Sequence, residues 1–158
     1  MPGTDFKLEI VGYDRRFDDD FARLNYEWLN TYFEVEAHDK EMLDDPYNYI
    51  IKPGGWILFA IADKQVVGTV SLIVEGDKTF ELAKMAVSPT YQGLKIGKKL
   101  MLAAIEYARS VGKDHLVLES NTKLLPAINL YKSTGFKEID PNPDTPYTRC
   151  NIRMEMEI

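Results

Sequence analysis

The chain has 158 residues, 45% of them apolar and 28% charged, with a formal net charge of −6. That length implies one domain spanning residues 1–158 with a substantial core, and the composition is that of a soluble folded protein. The acidic balance argues against nucleic acid as a partner, and no apolar run approaches the roughly 18 residues of a membrane span.

The start, MPGTDFKLEI, has no apolar leader region, and Cys150 is the only cysteine. An intrachain disulfide is excluded, and the expected setting is cytoplasmic. Lys7 to Tyr13 reads as a first strand. The charged stretch Asp14–Asp20 leads into a helix, with Asp18, Asp19 or Asp20 as its cap. Phe21, Leu24, Trp28 and Leu29 form its apolar stripe. A shorter helix is expected from about Asp39 to Leu43. Residues 14–45 hold eleven acids against four Lys or Arg, a larger excess than that of the whole chain. One reading is a solvated helix face. The other is a cleft that attracts an amine, with Glu34 and Glu36 as its candidates because they lie between the helices.

Pro53-Gly54-Gly55 marks a turn. Trp56–Ala62 and Gln65–Val74 read as strands joined by an Asp63-Lys64 hairpin. The first is apolar on both faces, as a strand covered on both sides should be. Phe80 to Val87 is a further strand, ended at Ser88-Pro89 because proline lacks the ladder donor. Then come Gln92, Gly93, Leu94, Lys95, Ile96 and Gly97, and a helix whose apolar residues recur at Leu100, Ala103, Ala104, Tyr107, Ala108 and Val111. A glycine-containing turn before a helix start suits a phosphate or pyrophosphate. The backbone comes close, the first amides lack partners, and Lys95, Lys98 and Lys99 add positive charge. The plain alternative is an ordinary cap with a solvated lysine face. Neither GxxxxGK[ST] nor GxGxxG is present.

The turn resembles motif A of the GCN5-related N-acetyltransferases, the GNAT superfamily, Q/R-x-x-G-x-G/A. Lys95 departs from it, standing where the family usually has a glycine. After Gly112, His115–Glu119 reads as a strand and Thr122 as a helix cap. Ala127-Ile128-Asn129-Leu130-Tyr131 followed by Gly135-Phe136 resembles motif B of the same family. Leu124 stands where the family often has Asn, a role that Asn121 is expected to take. Phe136–Ile139 is another strand. Cys150 to Ile158 alternates with period 2, a last strand with one wet face. The ending also looks like a subgroup of small bacterial acetyltransferases.

The resemblance implies an α/β fold: a mixed, twisted sheet of six or seven strands with helices on both faces and the motif A strand central. It implies acetyl-CoA as cosubstrate and an amine acceptor, either a small molecule or a peptide N-terminus, which attacks directly through a tetrahedral intermediate. Met85, Ala86 and Val87 would bind the pantetheine. The turn Gln92–Gly97, with Lys98, would bind the pyrophosphate. Tyr131 would protonate the leaving thiolate. Glu81 is the candidate base and acceptor contact, with Glu119 in reserve. No metal is expected, since His38 and His115 are the only histidines and have no metal-ligand spacing. Cys150 reads as a small core residue. Lys95 and Leu124 support an alternative, a non-catalytic CoA-binding or sensing domain. An apolar final strand at an open edge would call for a homodimer.

Overall fold

The computed structural model describes residues 7–158. Seven strands, β1 (Leu8–Val11), β2 (Trp56–Ala62), β3 (Gln65–Val74), β4 (Thr79–Val87), β5 (His115–Ser120), β6 (Lys137–Ile139) and β7 (Ile152–Glu157), form one sheet. Its order is β1-β2-β3-β4-β5-β7-β6, so the motif A strand β4 is the middle one. Among the described residues only β4 and β5 run parallel, and the other pairs are antiparallel. The β2–β3 hairpin closes through Asp63 and Lys64, with φ of 51° and 65°. Both are left-handed, as a two-residue turn matched to strand twist requires, although neither is glycine.

Four helices cover the sheet: α1 (Asp18–Tyr32), α2 (Ala37–Asp44), α3 (Ile96–Ser110) and α4 (Leu125–Thr134). Phe21 and Leu29 of α1 and Met42 and Leu43 of α2 pack with Ile57 and Phe59 on one face. Leu100 and Ala104 of α3 and Ile128 of α4 pack with Leu58, Ala60 and Leu116 on the other. Strand β2 therefore feeds both cores, which is why its sequence is apolar at every position.

Three local expectations are corrected. Asp18, Asp19 and Asp20 do not cap α1; they form its first turn, where they complement the helix dipole, and the cap is Phe17 with no side-chain bond. Asp14 instead accepts from Arg16 N, capping a 3-10 turn that delivers the chain into the helix. Thr122 does not cap α4, whose cap is Leu124; its amide and hydroxyl bond Asn151 instead. The last strand begins at Ile152, and Cys150 lies half-buried in the loop before it. Strand β7 is paired on both sides, by β5 and β6, so the open apolar edge from which a homodimer was expected does not exist.

Candidate active site

The site begins as a defect in the sheet. Strands β4 and β5 pair at Thr79, Phe80 and Glu81, and from Leu82 onward β4 has no partner on that side. On its other side the register with β3 slips, Thr69 facing Ala86 and Ser71 facing Ala83, so β4 carries one extra residue. Lys84 takes up this bulge with a left-handed φ of 54°. Ser71 Oγ donates to Ala83 O at 2.8 Å beside it. The bulge reverses the alternation: Phe80 and Leu82 belong to the α3/α4 core, and so do Met85 and Val87. Glu81 thus points to the α1/α2 face, as does Lys84, which reaches Asp39.

A cavity of about 340 Å³ passes through the opened seam. Met85, Ala86 and Val87 line it, as do Gln92 and Gly97 of the turn and Tyr131 of α4. Glu81 and Glu119 line it with Trp28 and Phe33, and Tyr147, Arg149 and Cys150 of the loop before β7 complete the wall. The structure thus brings together Glu81, Tyr131, the β4 segment and the ends of the turn.

Burial first, then the charges of Glu119 and Glu75, pushes the Glu81 carboxyl up to about 7, against a smaller opposing pull from Lys84 and Arg153. A carboxyl in that range exchanges protons near neutral pH. Burial pushes the Tyr131 hydroxyl up to about 12, so it stays protonated and able to donate. Cys150 borders the cavity rather than the core, but burial and the neighbouring Glu119 raise its thiol to about 11, which keeps it a poor nucleophile. Among the described residues no group of three His, Cys, Asp or Glu is placed to hold a metal.

The turn leads directly into α3. Gly93 has φ of 81°, and a Cβ added there would meet nothing within 4 Å, so conformation rather than space requires glycine. Lys95 is also left-handed, with φ of 62°, and stands at the N-cap of α3 without a side-chain cap bond. Lys95 therefore offers the first amides of α3 no side-chain acceptor. The family's glycine position keeps its glycine-like backbone although its residue is lysine, at a cost of about 1–2 kcal/mol. Leu94 is half-buried, Ile96 is buried in the core, and Lys95 and Lys98 are exposed. Asn121 also lines the cavity, but its amide donates to Arg149 O and accepts from Lys123 N, holding the end of β5 to the loop.

Glu34 is exposed and outside the cavity lining. Glu36 is bonded to the chain itself: it accepts from Thr148 N and Arg149 Nη1 and joins Asp39 in a capping box at α2. Asp39 is fully buried and sits between two cations, with Lys84 Nζ at 2.5 Å and Arg149 at 2.7 Å. Burial alone would raise its carboxyl, but hydrogen bonds from Arg149 and Lys84 outweigh this and hold it at about 2. Burial lowers the Lys84 pKa despite Asp39. Lys84 Nζ also donates to Tyr147 Oη, and the Arg149 guanidinium lies 4.3 Å from the centre of that ring. Sequence reasoning missed this network. Its one local signal was a lysine set between Ala83 and Met85 in a buried strand.

Comparison with known proteins places this geometry. Residues 22–136 match the acetyltransferase (GNAT) family. The chain belongs to that family. Its reaction is transfer of the acetyl group of acetyl-CoA to an amine acceptor. An uncharacterised N-acetyltransferase of Schizosaccharomyces pombe is 31% identical over 87% of this chain and 88% of its own length. A probable N-acetyltransferase, camello, of Xenopus tropicalis is 34% identical over 72% of this chain, which spans 54% of the frog protein. Among solved structures, a GNAT-family acetyltransferase of Staphylococcus aureus superposes with a TM-score of 0.85, at 24% identity over 96% of this chain and 99% of the other. The PaiA N-acetyltransferase of Thermoplasma acidophilum, solved in complex with coenzyme A, superposes at 0.74, with 21% identity over 96% and 99%.

Proposed function

We propose that the chain acetylates a small primary amine by direct transfer, with Glu81 taking the amine's proton and Tyr131 protonating the departing sulfur. The observation that carries this reading is the cavity through the β4–β5 seam, which Glu81 and Tyr131 both line. Bound acetyl-CoA supplies an activated acetyl thioester. The residues present fit it: β4 from Leu82 to Val87 has an unpaired edge for amide groups, and the open space at Gly93 and Gly97 admits a pyrophosphate. A Cβ on Gly97 would meet only Leu130, at 3.8 Å. The α3 amides, Lys95 and Lys98 supply donors and charge at that end.

Glu81 near a pKa of 7 is half-ionised at neutral pH, so it accepts a proton from an ammonium and releases it to solvent. Tyr131 remains a donor throughout. We further assign the chain to the small bacterial-type members, from the stretch Tyr147–Met156, and to the cytoplasm, from its single cysteine.

The test is Tyr131→Phe, which removes one hydroxyl. Turnover should fall about 10- to 100-fold while CoA affinity, read by calorimetry, is kept. Wild-type turnover in a chemistry-limited assay overturns the assignment.

A further inference from the structure

The α1/α2 end of the cavity has an aromatic wall. Trp28 and Phe33, both half-buried, line it with ring centroids 5.6 Å apart, beside buried Leu29. The two cations that line the cavity, Lys84 and Arg149, are already matched. Arg149 donates twice to Asp39 and once to Glu36, and Lys84 donates to Asp39 and to the Tyr147 hydroxyl. Two acids and two bases make this network neutral. Lys123 is exposed, 5.8 Å from the Phe33 centroid, and does not line the cavity. Glu81 and Glu119 are the carboxylates left facing the space, and Glu119 accepts a hydrogen bond from the Thr145 hydroxyl rather than from a cation.

Resting on the acyltransferase reading above, we propose that the acceptor is a small primary amine carrying an aromatic or branched apolar group and no carboxylate beside the amine. Its ammonium meets Glu81 and Glu119, and its apolar group lies against Trp28, Leu29 and Phe33. A carboxylate next to the amine would find Arg149 and Lys84 paired already and would face two acids, a buried charge without a counterion. The second ammonium of a polyamine would find no carboxylate at this wall, since Glu34 lies outside the cavity, and would have only the weaker attraction of the ring faces to replace its hydration. A peptide is disfavoured by size. The 340 Å³ must hold the acyl arm too, and the segment Thr148–Arg149, bonded to Glu36 and Asp39, fixes the wall on that side.

The test measures kcat/KM at saturating acetyl-CoA for 2-phenylethylamine, phenylalanine, spermidine and a tetrapeptide with a free N-terminus. 2-Phenylethylamine should exceed each of the others by about 100-fold. Trp28→Ala and Phe33→Ala, checked for folding by thermal melts, should each raise its KM about tenfold and raise that of ethylamine, which carries no group to lie against the rings, by a clearly smaller factor. Glu36→Gln removes one negative charge from the network around Arg149, leaving it net positive, and should raise phenylalanine turnover relative to 2-phenylethylamine. A higher kcat/KM for phenylalanine, spermidine or the peptide overturns the proposal, as does an unchanged ranking in both ring variants. CoA binding without thiol release for any amine overturns the acyltransferase reading itself, and so is told apart from a wrong acceptor class.

Discussion

Glu81→Gln tests the electrostatics of the site in two independent ways. The substitution keeps shape and removes ionisation. In the folded chain the carboxyl is raised from 4.5 to about 7, with burial the largest cause. Each unit is worth about 1.4 kcal/mol, so the full shift amounts to about 3 kcal/mol. Glu81 is only half-buried and keeps some contact with solvent, which reduces the expected effect to about 1–2 kcal/mol. The folded pKa is the higher one, so between about 4.5 and 7 the native state holds a proton that the unfolded chain has lost. The neutral carboxyl's contribution is therefore complete below 4.5 and disappears as pH rises through 7. Glutamine is neutral throughout. Urea denaturation should find the variant close to wild type at pH 5 and about 1–2 kcal/mol more stable at pH 8.5.

Catalysis should move the opposite way. Wild-type kcat/KM should rise to a plateau as Glu81 ionises near pH 7. The variant depends on amine that is already neutral, so its rate should keep rising with pH. The defect should be about 100-fold or more near pH 7.5 and shrink as pH approaches the amine's own pKa. A defect constant across pH, or a variant no more stable than wild type at pH 8.5, would refute the reasoning. The first result would assign Glu81 to acceptor binding or strand architecture instead.

Other perturbations address the rest of the site. Lys95→Gly relieves a left-handed lysine and should stabilise the fold by about 1 kcal/mol, with CoA affinity by calorimetry equal or tighter. Gly97→Asp has room for its side chain and places an acid at a helix start, so it should fold normally yet bind CoA at least about tenfold more weakly; undiminished affinity refutes the pyrophosphate placement. Asp39→Asn leaves Lys84 and Arg149 short of a buried counterion and should cost about 3–5 kcal/mol in denaturant titrations.

Elements made by neighbours in sequence were legible. Strand β4, its turn and α3 were visible from Pro89, two glycines and a 3.6-residue stripe, and β2 from its two apolar faces. The residues of the seam, Glu81 and Tyr131, came from motif position. Contacts between distant residues were not legible. Arg149 and Asp39 are 110 positions apart and Lys84 and Asp39 are 45 apart, and no periodicity records such a pair. The cap of α1 was misread because acids favour both the cap and the first turn, and a 3-10 turn shifted which they occupy. The start of β7 was misplaced because Cys150 and Asn151 continue the alternation by composition alone, while Asn151 in fact bonds Thr122.

Lys84 links these observations. An unbulged β4 would put residue 84 on the same face as Phe80 and Leu82, in the α3/α4 core, where its ammonium would have no counterion. The extra residue turns Lys84 toward Asp39, and the left-handed backbone costs about 1–3 kcal/mol that the buried ion pair must offset. The bulge lies on the stretch of β4 that has no pairing to β5, next to the cavity. Asp39 also holds Arg149, and through it the loop that walls the acceptor end. One neutral network thus fixes the bulge beside the seam and one wall of the cavity, and in doing so leaves no spare cation for an anionic acceptor. The physical demand for a paired lysine and the acceptor selectivity proposed above have the same origin.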